Sequence, residues 1–485
     1  MVKLTSNNTL ERTTNHRGRL VLAILVLLAT LFLAPPARAQ ADPQRIAQLE
    51  KRFEELRERL RIPGLSAVVL RDQKVLWARG FGYADLESRV RAAPDTVYPI
   101  ASITKTFAAE LIMQLVEQGK LDLDEPASRY SADFKDDAVR VKHLLSHTVG
   151  TGKPGEGYAY DPERYEYLTA VIEKVTGKSF REVMVETFLD PLGMSSTAPG
   201  PVALREPRYA KVLARQSQPY TLYGDGEIIH TAYPVDFFGA SAGLISTVLD
   251  LAKYDAALDR HLLMKKQTQE QAWTNFVSNS GKRLPYGFGW FVEDYRGTKL
   301  VWHGGNWGTG FSAIYVKVPE RNLTLIVLSN SEALNSHLYK GWNGYEEITH
   351  DAFACAFLHA FVVDRERELD CERTSQAAVA EFLEERRALA RTVARVDPGI
   401  YDAYVGGYQR PTRVLHVTNE RGRLFMDYPR GFKSELFPES ETTFFFKTEN
   451  LRLTFVKNEQ GEVTRIDFHI EGQAEPLTAS RVAGS

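Results

Sequence analysis

The sequence predicts an α/β sandwich, in which an antiparallel sheet flanked by helices is interrupted by an all-helical insertion, followed by a separate antiparallel β barrel. Three observations carry this expectation. Apolar, strand-like runs at residues 65–70 and 74–82 give way to helical signals from Ser102 to about Ala257, before closely spaced strand patterns return at 286–292, 299–302, 311–318 and 323–328. A sheet begun early and completed late is discontinuous in sequence, with the helical stretch inserted into it. Beyond Val396, short alternating runs separated by Gly and Asn turns replace the helical periodicity.

Taken in order, the elements begin with Lys3, Arg12, Arg17 and Arg19, an apolar run from Leu20 to Ala34, and the small-x-small segment Ala37-Arg38-Ala39. That order predicts a signal peptide over residues 1–39, and the apolar run is shorter than the ~20 residues needed to span a bilayer. The expectation is therefore an exported, periplasmic or secreted protein with no stable membrane span after cleavage. Ile46, Leu49, Phe53, Leu56 and Leu60 recur at helical spacing until Ile62-Pro63-Gly64 ends the helix. Arg71-Asp72-Gln73 joins the first two strands as a hairpin. Helices are expected over 104–118, 139–146, 163–175, 179–189 and 247–258, and the domain as a whole over 40–340. Residues 341–395 read as a helical connector with helices over 345–369 and 375–394, the second densely charged and solvated. Cys355 and Cys371 lie in this connector. They could close a short loop in an oxidising compartment or stay as buried free thiols, and no histidine or acid is expected beside either as a catalytic thiol would need. Residues 396–485 form the barrel.

With 485 residues, 44% hydrophobic and 25% charged, the chain is globular and long enough for two or three domains. A formal net charge of −2 without a dense basic block argues against a nucleic-acid partner. No cofactor is expected.

The stretch with the clearest chemistry is Tyr98-Pro99-Ile100-Ala101-Ser102-Ile103-Thr104-Lys105. Ser102 and Lys105, three apart at a helix start, share one face, where unpaired backbone N–H groups favour an anion beside the serine. A desolvated lysine loses its proton more readily and can then act as a base towards the serine. His143 and His147 stand four apart in Lys142-His143-Leu144-Leu145-Ser146-His147, but no acid between them completes a metalloprotease motif, so they read as structural and no metal site is expected. Trp302-His303-Gly304-Gly305-Asn306 closes a predicted strand with glycines that permit close approach.

In this order the pieces resemble the serine β-lactamase and penicillin-binding-protein superfamily, in its class C-like branch of esterases, D-aminopeptidases and related hydrolases. Further pieces, Pro191-Leu192-Gly193-Met194, Ser241-Ala242-Gly243-Leu244 and Tyr286-Gly287-Phe288-Gly289-Trp290, extend the resemblance over roughly residues 46–330. The tail, with Tyr404-Val405-Gly406-Gly407-Tyr408, is similar to the lipocalin-like domains often appended to these hydrolases, through which oligomers could form. The resemblance implies Ser102 as nucleophile, Lys105 as its proton acceptor, Tyr160 as a second acid/base, and His303 as an orienting or relaying group near neutral pH. It places the oxyanion at the Ser102 and Asn306 N–H groups, beside Gly304 and Gly305. Tyr160-Asp161-Pro162 stands where the branch has Tyr-x-Asn, and proline has neither an amide side chain nor an N–H. The resemblance thus implies an exported serine hydrolase acting on esters or small acyl substrates. The alternatives are a D-amino-acid peptidase, amidase or β-lactamase, and a catalytically weak peptide- or cell-wall-binding protein.

Overall fold

The computed structural model describes residues 43–131, 134–150, 152–224, 226–233, 237–308, 310–335, 338, 347–363, 369–410, 413–428, 432–448, 451–470 and 475–482. The expected signal peptide lies outside these residues, as does the start of the connector at 341–346. Everything below concerns the compact unit Gln48–Ser485. Of the preceding unit only residues 43–47 are described, and they open helix α1 (Pro43–Arg59).

Seven strands form the central sheet: β1 (Gly64–Arg71), β2 (Lys74–Asp85), β3 (Val90–Arg91), β4 (Phe291–Tyr295), β5 (Thr298–Asn306), β6 (Ser312–Val318) and β7 (Leu323–Ser329), in the spatial order β3-β2-β1-β7-β6-β5-β4. Every neighbouring pair is antiparallel, and β1 pairs with β7 from Leu65 opposite Ser329 to Arg71 opposite Leu323. The early and late halves of the chain thus meet at the middle of the sheet, as the interrupted strand pattern predicts. The β1–β2 turn is made by Asp72 and Gln73, both at positive φ (50° and 59°), the backbone twist that suits a two-residue hairpin.

β1, β6 and β7 are buried along almost their whole length because helices cover both faces. Val68, Leu70, Ala313, Tyr315, Ile326 and Leu328, alternate residues on three adjacent strands, face a core shared with helices α2 (Thr104–Glu117), α4 (Pro162–Thr176) and α5 (Val248–Asp259). On the opposite face Phe53 of α1 packs edge-on against Trp77 of β2 and against Phe353 of α6 (Ala352–Phe361). α2 is buried over most of its surface, which explains why apolar residues dominate it from Phe107 to Val116.

The insertion is mainly helical but also carries short strands, including the hairpin Tyr220–Tyr223 with Glu227–His230. Other departures from the sequence pattern have local causes. The strand expected at 286–292 starts only at Phe291, because Gly287 packs against the Ala272 and Thr274 carbonyls and Gly289 turns at φ 79°. The expected helix over 345–369 is a short turn at Ile348–His350 followed by α6, whose start is fixed by Asp351 accepting from the Phe353 and Ala354 N–H groups. Helix α7 (Leu369–Ala388) begins earlier and ends earlier than expected.

A disulfide joins Cys355 to Cys371, bracing α6 against α7. The expectation that no histidine adjoins the cysteines is corrected here. Cys355 and His359 are four apart on α6, so they share a face, with Nε2 3.7 Å from Cys355 Sγ. Eight strands, from Gly406–Arg410 to Leu477–Arg481, close a barrel in sequence order, and Tyr404, Tyr408, Phe444, Phe455 and aliphatic neighbours fill its core.

Candidate active site

The site is built where the insertion meets the sheet. Ser102 sits in a 3₁₀ turn (Ala101–Ile103) that runs directly into α2. Ala101 has φ 46°, a left-handed conformation that costs a non-glycine residue about 1–2 kcal/mol. The surroundings impose it: the Thr104 hydroxyl donates to Ala101 O (2.7 Å) and accepts from Leu244 N–H (3.1 Å), while Ile100 N–H donates to Leu244 O (2.9 Å). Ser102 is 8% exposed and Lys105 fully buried, and Lys105 Nζ lies 3.0 Å from Ser102 Oγ.

Lys105 is held at several points. Its Nζ donates to Ser241 O at 2.6 Å and lies 5.2 Å from the ring centre of Tyr160 and 5.4 Å from that of Tyr165. The Tyr165 hydroxyl donates to the Lys105 backbone carbonyl at 3.0 Å. The Ser241 carbonyl is itself positioned by α4. Glu166 Oε2 accepts from Ser241 N–H (3.0 Å) and Oγ–H (2.6 Å), and Thr169 Oγ1 accepts from Ala240 N–H (2.8 Å). Pro162 is the first residue of α4, where a missing N–H costs nothing, and Asp161 caps the helix by accepting from Arg164 N–H.

β5 reaches the serine turn at its far end. A Cβ on Gly305 would fall 2.3 Å from Ile100 O, so only glycine lets the strand lie this close. Asn335 Nδ2 donates to Gly305 O and Ala313 O, and Asn306 Nδ2 donates to Asn335 Oδ1, fixing the last residues of β5. His303 is fully buried. Its Nδ1–H donates to Gly304 O (2.6 Å) and its Nε2 accepts from the Tyr286 hydroxyl (2.8 Å). Burial, reinforced by the Lys105 charge, lowers its pKa to about 3. His303 is therefore neutral near neutral pH with both ring nitrogens engaged; of the two expected roles this fits orienting, and the residue braces β5.

The histidine pair divides. His143 Nδ1 accepts from Arg140 N–H at the start of helix α3 (Val141–Leu145), a structural use. His147 instead enters the site, with its ring 4.4 Å from Tyr160, 5.0 Å from Tyr165 and 5.0 Å from Tyr286. Sequence reasoning assigned no site role to His147, Glu166, Thr169, Tyr165 or Asn335. The segments holding Ser241 and Tyr286 were visible only as pieces of the resemblance. Among the described residues, Cys355, His359 and Cys371 are the group whose donor atoms lie close enough to hold a metal ion, and both sulfurs are committed to the disulfide.

Residues 49–344 match the Beta-lactamase family, and residues 390–481 match a domain of unknown function, DUF3471. The chain belongs to the Beta-lactamase family. Members of this family are generally serine hydrolases, and that class is the coarse assignment for this one. This family member is 25% identical over 470 residues to penicillin-binding protein 4* of Bacillus subtilis (strain 168), covering 88% of this chain and 98% of that protein. It is 26% identical over 307 residues to protein flp of Staphylococcus aureus (strain MW2), covering 56% of this chain but only 60% of flp. The octameric penicillin-binding protein homologue from Pyrococcus abyssi shares its fold, with a TM-score of 0.57 at 24% identity over 89% of this chain and 99% of that one.

Proposed function

We propose that this protein is an exported serine hydrolase that works through an acyl-enzyme on Ser102, acting on esters or other small acyl substrates. The observation that carries the reading is the buried Lys105 amine 3.0 Å from Ser102 Oγ, on a turn held in a strained backbone conformation. In this reading Lys105, once it has released its own proton to the surroundings, takes the serine proton as Oγ bonds to the acyl carbon. The developing oxyanion meets the Ser102 and Asn306 N–H groups, with Gly304 and Gly305 keeping the strand close. Tyr160 delivers a proton to the departing alkoxide, the acyl C–O bond breaks, and water attacks the acyl-enzyme by the reverse proton path to restore Ser102.

The substrate preference rests on Pro162, which offers no side-chain amide to a peptide-like substrate, while Ser241 O receives the lysine amine. A second reading, amide or β-lactam substrates, draws on the similarity to a penicillin-binding protein. The test is intact mass after incubation with a fluorophosphonate or a labelled penicillin, with Ser102→Ala as control. We expect one adduct on the wild type, none on the variant, and a turnover loss of at least ~10⁴-fold with the fold retained. No adduct on folded wild type would sink the hydrolase reading in favour of a binding protein. Parallel assays with a p-nitrophenyl ester, a chromogenic cephalosporin and a D-amino-acid amide decide the acyl class; fastest turnover of the cephalosporin would refute the ester preference. A secreted form beginning at Gln40 would support export.

A further inference from the structure

We infer that His147 is a positioning residue for Tyr160, holding its phenol where it can serve the leaving group. The inference rests on the acyl-enzyme reading above. His147 follows α3 in the closing turn of a helix: its own N–H donates to Leu144 O (3.3 Å), and Thr148 N–H donates to His143 O (2.9 Å). In that arrangement the residue at His147 takes a left-handed backbone, here φ 53°, a place that glycine fills most readily. A histidine there is strained, and its carbonyl and its Nδ1 both bond to the segment that carries Tyr160.

His147 grips the chain on both sides of Tyr160. Its carbonyl accepts from Ala159 N–H at 2.9 Å and its Nδ1 accepts from Asp161 N–H at 3.1 Å. Its ring lies against the Tyr160 ring at 4.4 Å, tilted by 36°. The next residue, Pro162, has no N–H, so the Asp161 N–H is the last donor before α4 by which the segment can be held from this side. Because Nδ1 accepts, the ring proton is on Nε2, and this buried N–H meets no acceptor among the described residues. Burial, reinforced by the Lys105 charge, keeps the imidazole neutral, so its grip on Asp161 N–H does not change with pH near neutrality. The groups that face it, Lys105, Tyr158, Tyr160, Tyr165, Tyr286 and His303, are those of the site itself.

The test uses the full chain and two variants that fit the left-handed backbone. His147→Gly removes ring and acceptor, whereas His147→Asn keeps an acceptor on a short side chain. The readout is kcat/KM on a p-nitrophenyl ester, whose leaving group needs little protonation, and on an ethyl ester of the same acid, whose leaving group needs it fully. A mispositioned general acid costs more on the second, by up to ~10²-fold. We expect His147→Gly to lose about 10²-fold on the ethyl ester and less than about 5-fold on the nitrophenyl ester, with His147→Asn recovering most of the difference. Equal losses on the two esters, or no loss, would overturn the inference and assign His147 to structure alone. Fluorophosphonate labelling separates the two levels: adducts on Ser102 in all three proteins uphold the acyl-enzyme whatever the ester ratio, and none on the wild type overturns both.

Discussion

Glu110 lies on α2 five residues beyond Lys105, fully buried, with Oε1 accepting from Gln269 Nε2 at 3.0 Å. Burial raises its pKa to about 8 from an ordinary 4.5, against the opposing pull of Gln269 and the Lys317 charge. The folded state therefore binds this proton more tightly than the unfolded chain. Its contribution to stability is full below pH 4.5 and is lost as pH rises towards and through about 8. Glu110→Gln keeps the acceptor and removes the titration. Relative to the wild type it should gain on the order of a few kcal/mol by pH 9 and little at pH 4. Denaturant unfolding of both proteins across that range checks this; a difference independent of pH would show that Glu110 is not held protonated by the fold.

At the scale of elements, the site depends on close approaches that only glycine permits. Gly289, at φ 79°, lies against α2, where a Cβ would fall 2.2 Å from the Ala109 Cβ and 3.2 Å from the Lys105 carbonyl. Its N–H donates to Leu145 O, so this one residue connects α3, the segment before β4 and the lysine-bearing turn of α2. Gly289→Ala should cost about 2–4 kcal/mol from overpacking and left-handed strain together, and should lower turnover by displacing Lys105. Thermal unfolding and ester kinetics on the same preparation would show it; unchanged stability would mean that α2 can move aside freely. Lys317 of β6 pairs with Asp255 and Asp259 of α5, and its charge also acts on Glu110 of α2.

At the scale of the whole molecule, the connector and barrel dock on the hairpin of the insertion. Glu332, its side chain fully buried, accepts from the Thr221 hydroxyl at 2.6 Å and pairs with Arg386 of α7 at 3.5 Å. The Tyr223 hydroxyl accepts from Arg391 N–H at 2.7 Å, and its ring stacks on Phe445 of the barrel. Lys447 completes the contact by pairing with Glu227 and lying 5.2 Å from the Tyr223 ring centre. Arg386→Ala would remove a cation from beside the buried Glu332 carboxylate, at a cost of up to about 3–5 kcal/mol. Arg386→Ala/Glu332→Gln should recover much of this, because the glutamine still accepts from Thr221. A double variant no more stable than the single one would refute the pairing.

By itself the sequence determined the sandwich interrupted by helices and the terminal barrel, and it singled out Ser102 and Lys105 as a pair, with Tyr160 added by the resemblance. Strand and helix periodicities are local, and a Ser-x-x-Lys at a helix start is a short-range pattern. His303 was legible as a residue, yet its state was not: only the tertiary structure buries it beside Lys105 and commits both nitrogens. His147 shows the same limit more sharply, since four-residue spacing pairs it with His143, while the left-handed turn after α3 sends the two rings to different work. Glu166 and Thr169 reach Lys105 through the backbone of Ala240 and Ser241, some 70 residues further along the chain. Such contacts depend on how distant segments pack, and no periodicity records them.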